Sequence, residues 1–144
     1  MNFVEKLKEQ MILRNIDARI LSEAIQVDRS TISNWKRGKY IPSTGAFFRL
    51  IEYFDCSADY MLGLIEFPAE NIKYHPPLQT YGQRLRSLLE ENHLSQSAFI
   101  EDMKISKNLA YQWLSDKTLP SVEYLIKIAN HFDISVDILI ERVK

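Results

Sequence analysis

The chain has 144 residues, a net charge of −1 and a pI near 6.3, which excludes a protein that coats nucleic acid indiscriminately and leaves any DNA contact to a local basic patch. Apolar residues make up 46% of it, with four Gly and five Pro, so it is not a disordered chain and has the material for a core. Its single cysteine, Cys56, excludes an intrachain disulfide and a cysteine-based zinc site, and reads as a small core residue.

The three histidines, His75, His93 and His131, stand far apart with no Glu, Asp or Cys at ligand spacing, so neither a metal nor a cofactor is expected. They read as surface or helix-end residues. The opening stretch MNFVEKLKEQM is charged throughout, unlike a secretory signal, and no apolar run approaches the roughly 18 residues of a membrane span. A cytoplasmic protein with no membrane partner is expected.

In chain order, Phe3, Leu7 and Met11 recur every four residues and predict an apolar stripe on a first helix. Asp17 is a natural N-cap for a second helix and Asp28 for a third. In the stretch VDRSTISNWKRGKYIPS, Ile32 and Trp35 fall three apart on one face, while Arg29, Ser30, Ser33, Asn34 and Arg37 occupy the rest. This third helix has an apolar back and a donor-rich front. Gly38 stands where a residue must take positive φ to end the helix, and Lys39 follows it. Between Asp28 and Tyr40 four basic side chains meet one acid, a net +3, within a span 1–66 that balances to zero. A fourth helix opens at Ser43, after Pro42, and buries Phe47, Leu50, Ile51 and Phe54. A fifth opens at Ser57, with Asp59 in its first turn where the helix dipole favours an acid.

Residues 67–80 hold Pro68, Pro76 and Pro77, which cannot continue a helix, and read as a linker. Its extended reach is at most roughly 46–50 Å, enough to bridge two sites one DNA turn apart.

After the linker the pattern begins again. Shifting the sequence by 78 positions pairs residues 3–66 with 81–144 without a gap. Leu7/Leu85, Glu23/Glu101, Trp35/Trp113, Lys39/Lys117, Pro42/Pro120, Ser43/Ser121, Phe54/Phe132, Asp55/Asp133, Ser57/Ser135 and Asp59/Asp137 are identical pairs. Tyr81, Leu85 and Leu89 repeat the first stripe, Ser95 and Ser106 the second and third caps, and Leu125, Ile128, Ala129 and Phe132 the fourth helix's apolar set. No segment shows sustained period-two alternation, so an all-α chain of two domains is expected, 1–66 and 81–144.

The order of five helices, the string Ser30-Thr31-Ile32-Ser33-Asn34-Trp35-Lys36-Arg37-Gly38-Lys39 and the pair Pro42-Ser43 resemble the lambda-repressor-like helix-turn-helix family, also called the Cro or XRE type. In the second copy, Tyr81-Gly82-Gln83-Arg84-Leu85-Arg86 and Leu94-Ser95-Gln96 resemble that family's first helix and the opening of its second. The resemblance implies two tandem compact five-helix domains. It also implies sequence-specific binding to double-stranded DNA through a third helix in the major groove, usually by dimers on two half-sites.

Carried over residue by residue, the base-reading positions are Arg29, Ser30 and Asn34, with Ser33 beside them. Arg19, Arg37, Lys39 and Tyr40 match phosphate-contacting positions. In the second copy the corresponding candidates are Gln96, Lys107, Asn108, Tyr111, Gln112 and Lys117. Trp35 and Trp113 align with the apolar back face and are expected in the core, tying the third helix to the first and fourth.

The chain departs from the family pattern at several places. A buried Arg–Glu pair between helices one and three is replaced by Met11 and Lys36 in the first copy and by Leu89 and Leu114 in the second. The Gln that opens helix two is Ala18 in the first copy, and the usual Gly of the turn is Gln26 or Lys104. Gly38 becomes Asp116, which with Glu101 and Asp102 leaves the second copy's phosphate-facing side weakly basic. The leading expectation is therefore a transcription regulator of the repressor kind that reads DNA through its first domain, with the second domain reading DNA, forming a homodimer or binding a protein partner. The alternative is a protein-interaction module, antirepressor or antitoxin-like, that uses the helix-turn-helix surface to bind protein. An enzyme is not expected, since no paired carboxylates beside histidine, P-loop or nucleophile elbow occur.

Overall fold

A computed structural model describes residues 2–68 and 71–143. Ala69 and Glu70 of the expected linker, and Lys144 at the end of the expected second domain, lie outside the described residues. Among the described residues there are ten helices and no strand: α1 (Phe3–Leu13), α2 (Ala18–Ile25), α3 (Arg29–Lys36), α4 (Thr44–Phe54), α5 (Ala58–Met61), α6 (Tyr81–Glu91), α7 (Gln96–Met103), α8 (Lys107–Leu114), α9 (Val122–His131) and α10 (Val136–Leu139). The chain divides into two compact units, Met1–Tyr74 and His75–Lys144, with the division inside the Pro-containing stretch.

The helix starts follow from side-chain capping. Asp17, Ser43 and Ser57 accept the amides of Ile20, Ala46 and Tyr60 in the first unit. Ser95, Ser106, Ser121 and Ser135 do the same in the second for Ala98, Leu109, Tyr124 and Ile138. Each such bond satisfies one of the donors a helix N-terminus leaves without a partner, typically worth ~1 kcal/mol. Asp28 departs from the pattern: it occupies the N-cap of α3 in extended conformation, yet its carboxylate makes no capping bond. Thr80 caps α6 through a full capping box, with the Gln83 side chain returning to the Thr80 amide at 2.9 Å.

The expected stripes form the two cores. In the first unit Leu7, Leu21, Ile25, Ile32, Phe47, Leu50, Ile51, Phe54 and Met61 are buried, and Cys56 lies among them. In the second, Leu85, Phe99, Met103, Leu125, Ile128, Val136 and Leu139 are buried, and Phe99 stacks on Phe132 at 6.1 Å. Each such side chain contributes roughly 1.5–3 kcal/mol relative to exposure. Where the family carries a buried ion pair, Met11, Leu89 and Leu114 are buried and apolar, and Lys36 is half-buried.

Lys6 has a different environment from the surface position its charge suggests. It is fully buried, donates to the Glu66 carbonyl and lies over the Tyr60 ring at 4.4 Å. Its counterpart Arg84 donates to the Leu139 and Ile138 carbonyls, each at 3.1 Å. In both units a cation on the first helix therefore satisfies backbone carbonyls, beyond the end of the fifth helix in the first unit and in the last turn of the fifth in the second. The second unit adds a buried pair, Arg142 to Asp137 at 2.9 Å.

Candidate nucleic-acid interface

α2 and α3 are joined by a turn in which Gln26 has φ 58°, and the matching Lys104 between α7 and α8 has φ 56°. A side chain therefore occupies the left-handed position where the family places Gly. The α3 back face is anchored by Ile32 and Trp35, both buried, with the Trp35 indole edge-on to Phe3 of α1 at 6.3 Å. Trp113 is buried likewise and meets Tyr124 of α9 at 5.1 Å. Both indoles are core residues that hold the third helix of their unit.

With the back face fixed, Arg29, Ser30 and Ser33 are exposed together on the front of α3, and Asn34 is half-buried beside them. The helix ends in a Schellman motif: the Gly38 amide bonds the Trp35 carbonyl and the Lys39 amide bonds the Asn34 carbonyl, each at 3.0 Å, with Gly38 at φ 73°. This reversal places Arg37, Lys39 and Tyr40 as an exposed group at the C-terminal end of the front face. Asn34 Nδ2 donates to the Tyr40 hydroxyl at 3.2 Å, and the Arg37 guanidinium donates to Asn34 Oδ1. Residue types alone do not announce this network, because its members are connected only by the geometry of the helix end.

Arg19, on the first turn of α2, is exposed and paired with Glu23 at 3.6 Å. Asp17 beside it has a carboxyl held below the ordinary carboxylate range, first by the Ile20 amide and then by the positive charges of Arg19 and Arg29. A negative charge is thus within electrostatic reach of Arg29, the first residue of α3, a neighbour not anticipated as part of the site.

The second unit presents a different surface. Lys107, Asn108, Tyr111 and Lys117 are exposed and Gln112 is half-buried, but Lys107 lies over the Tyr111 ring at 5.6 Å. Gln96 opens α7, half-buried. Asp116 takes φ 63° at the position of Gly38, and its carboxylate accepts the Gly82 amide and the Thr80 hydroxyl, each at 2.7 Å. The acid that replaces the helix-ending glycine is turned onto the N-terminus of α6. Among the described residues no group of three or more His, Cys, Asp or Glu is placed to hold a metal ion, and no helix is long and apolar enough to cross a membrane.

No curated protein matches the chain. A solved transcriptional regulator from Listeria innocua is similar at 15% identity with a TM-score of 0.42, covering 90% of this chain and 94% of that one. The helix-turn-helix family model matches twice, at residues 7–61 and 85–139, so that each match spans all or nearly all of one five-helix set. The chain belongs to the helix-turn-helix family in two tandem copies, which at the level of the family makes it a DNA-binding regulator.

Proposed function

We propose that the chain is a sequence-specific transcription regulator of the repressor type, acting in the cytoplasm, that inserts α3 of its first unit into the major groove of double-stranded DNA. The observation that carries this reading is the arrangement of α3: Ile32 and Trp35 pin its back face to the core, while Arg29, Ser30, Ser33 and Asn34 share the front. Arg forms a bidentate pair with guanine and Asn with adenine, whereas Ser is permissive, so this front carries donors able to discriminate base pairs. Arg19, Arg37, Lys39 and Tyr40 flank it at positions suited to phosphate.

In this reading the second unit contributes less to recognition. Its own front, Lys107, Asn108, Tyr111 and Gln112 with Gln96 and Lys117 at the flanks, has one cation already over an aromatic ring and an acid where the first unit has glycine. A palindromic site would then require two chains, with the second unit forming a homodimer or binding a protein partner. A second reading, a module that binds protein through both helix-turn-helix surfaces, is favoured by that acidic substitution and by the near-zero net charge. Selection of bound sequences from a random DNA pool by the full chain, followed by salt titration on the winner, separates the two. A single enriched motif with affinity falling steeply in salt supports DNA reading, and no enrichment overturns it.

A further inference from the structure

The geometry at the end of α3 assigns Tyr40 and Arg37 a role beyond contact with the DNA backbone. The Schellman motif folds the chain back at Gly38, so residue 40 returns alongside residue 34. There Asn34 Nδ2 donates to the Tyr40 hydroxyl at 3.2 Å, and Asn34 Oδ1 accepts from the Arg37 guanidinium. A guanidinium has donors and no acceptor, so only the oxygen end of the amide can face Arg37. The nitrogen end is thereby turned to Tyr40, and the two partners together remove the 180° flip that an asparagine otherwise retains.

A primary amide offers two N–H groups and two lone pairs. This clamp uses one of each. What remains is one donor on the nitrogen and one acceptor on the oxygen, the groups that pair with N7 and the N6 amino group on the major-groove edge of adenine. We propose that Tyr40 and Arg37 are positioning residues that hold the Asn34 amide in its adenine-reading orientation, so that Tyr40 is a determinant of sequence preference. The hydroxyl accepts from Asn34 and keeps its own proton to give to a phosphate, which ties the register on the backbone to the orientation of the base-reading group. The inference rests on the proposed reading that α3 reads bases.

The second unit supports the assignment by contrast. Thr118 stands where Tyr40 does and its hydroxyl meets Gln112 Oε1 at 3.3 Å, so the same return of the chain is present. The residue matching Arg37 is Ser115, whose hydroxyl bonds the Gln112 backbone carbonyl at 3.3 Å. There the side-chain amide has no cation to fix its oxygen end, and the paired clamp belongs to the first unit.

The test uses the full chain and operators selected from a random pool, varied one base pair at a time, with wild type, Tyr40→Phe, Asn34→Ala and the double variant. Tyr40→Phe keeps the ring of an exposed residue and removes only the hydroxyl. It is expected to lower the preference for adenine at one base pair by about fivefold, the scale of one hydrogen bond, on top of a smaller uniform loss, with the salt slope unchanged. Asn34→Ala should erase the preference at that same base pair, and Tyr40→Phe should change it no further in the Asn34→Ala background, since the tyrosine acts through the asparagine. A purely uniform loss in Tyr40→Phe, or additive effects of the two changes at that base pair, would overturn the positioning role while leaving DNA reading by α3 intact. Wild-type binding to all DNA alike would overturn both.

Discussion

The Asp116 carboxylate accepts the Gly82 amide at 2.7 Å, and the two residues replace as a pair the Gly38 and Val4 of the first unit. In the first unit a Cβ built on Gly38 would meet Val4 Cγ2 at 3.5 Å, an ordinary contact, so the side chain there lies on the first helix and the helix-ending residue has none. In the second unit the arrangement is exchanged. A Cβ on Gly82 would lie 2.6 Å from the Leu114 carbonyl oxygen and 2.9 Å from both Asp116 carboxylate oxygens, so the carboxylate reaches the N-terminus of α6 only because residue 82 has no side chain. The bonds from the Gly82 amide and the Thr80 hydroxyl at that end offset the cost of a non-glycine residue at φ 63°.

Gly82→Ala should therefore destabilise the second unit by about 1–3 kcal/mol, because the first obstacle is backbone and cannot rotate away. Amide hydrogen exchange of the intact chain reads this directly: protection in α6 and α8 should fall while α1 to α5 are unchanged. Asp116→Gly, which removes the cap and relieves the strained φ together, should cost less than Asp116→Ala, which removes the cap alone.

Lys39 is exposed just past the end of α3, beyond the proposed base-reading front. Lys39→Ala should weaken binding to every sequence alike and reduce the slope of log affinity against log salt by about one unit, as expected when one phosphate contact and its released counterion are lost. Affinities for selected and scrambled operators across a salt series check this. A loss confined to the selected operator would instead make Lys39 a base contact.

The elements were largely legible in the sequence because their signals are local. A capping Ser or Asp marks a helix start in a single residue, and Gly38 marks the end of α3, so Asp17, Ser43, Ser95 and Ser135 stand where their chemistry places them. The fronts of α3 and α8 were legible for the same reason, since the buried Trp and its neighbours fix which face remains. What escaped depends on long-range pairing. Lys6 carries a charge that pattern reading assigns to solvent, yet it is buried because the Glu66 carbonyl and the Tyr60 ring come to it from the far end of the unit. The Asp116–Gly82 bond joins residues 34 apart. No local rule contains these.

Asp17 places a negative charge where Arg19 and Arg29 face the proposed DNA, and its carboxyl is held below its ordinary range by the Ile20 amide and those two cations. Asp17→Asn retains a good capping acceptor and removes the charge. DNA affinity at neutral pH should rise a few-fold for all sequences, with little change in thermal stability, because like charge opposite phosphate is unfavourable. An unchanged affinity in parallel titrations would show that this carboxylate lies away from the DNA.

The Tyr60 phenol is pushed up to about 12, first by burial and then by its hydrogen bond to Glu9. A group whose folded pKa exceeds its unfolded value of about 10 favours folding while protonated, so its contribution is full below pH 10 and is lost as pH rises toward 12. Denaturation of the intact chain between pH 9 and 12 should show the first unit losing stability across this window, and Tyr60→Phe should flatten that loss in the first unit alone. An identical pH profile for the variant would contradict the assignment.

The proposed base-reading element is α3 of the first unit and not α8 of the second. The most direct measurement is selection from a random DNA pool by three forms of the full chain: wild type, Arg29→Ala with Asn34→Ala, and Lys107→Ala with Asn108→Ala. The Arg29 and Asn34 variant should lose the selected motif, with each lost bidentate contact costing ~1–3 kcal/mol of discrimination, while the Lys107 and Asn108 variant should recover the same motif as wild type. Retention of the motif by the first variant, or its loss by the second, would contradict the claim.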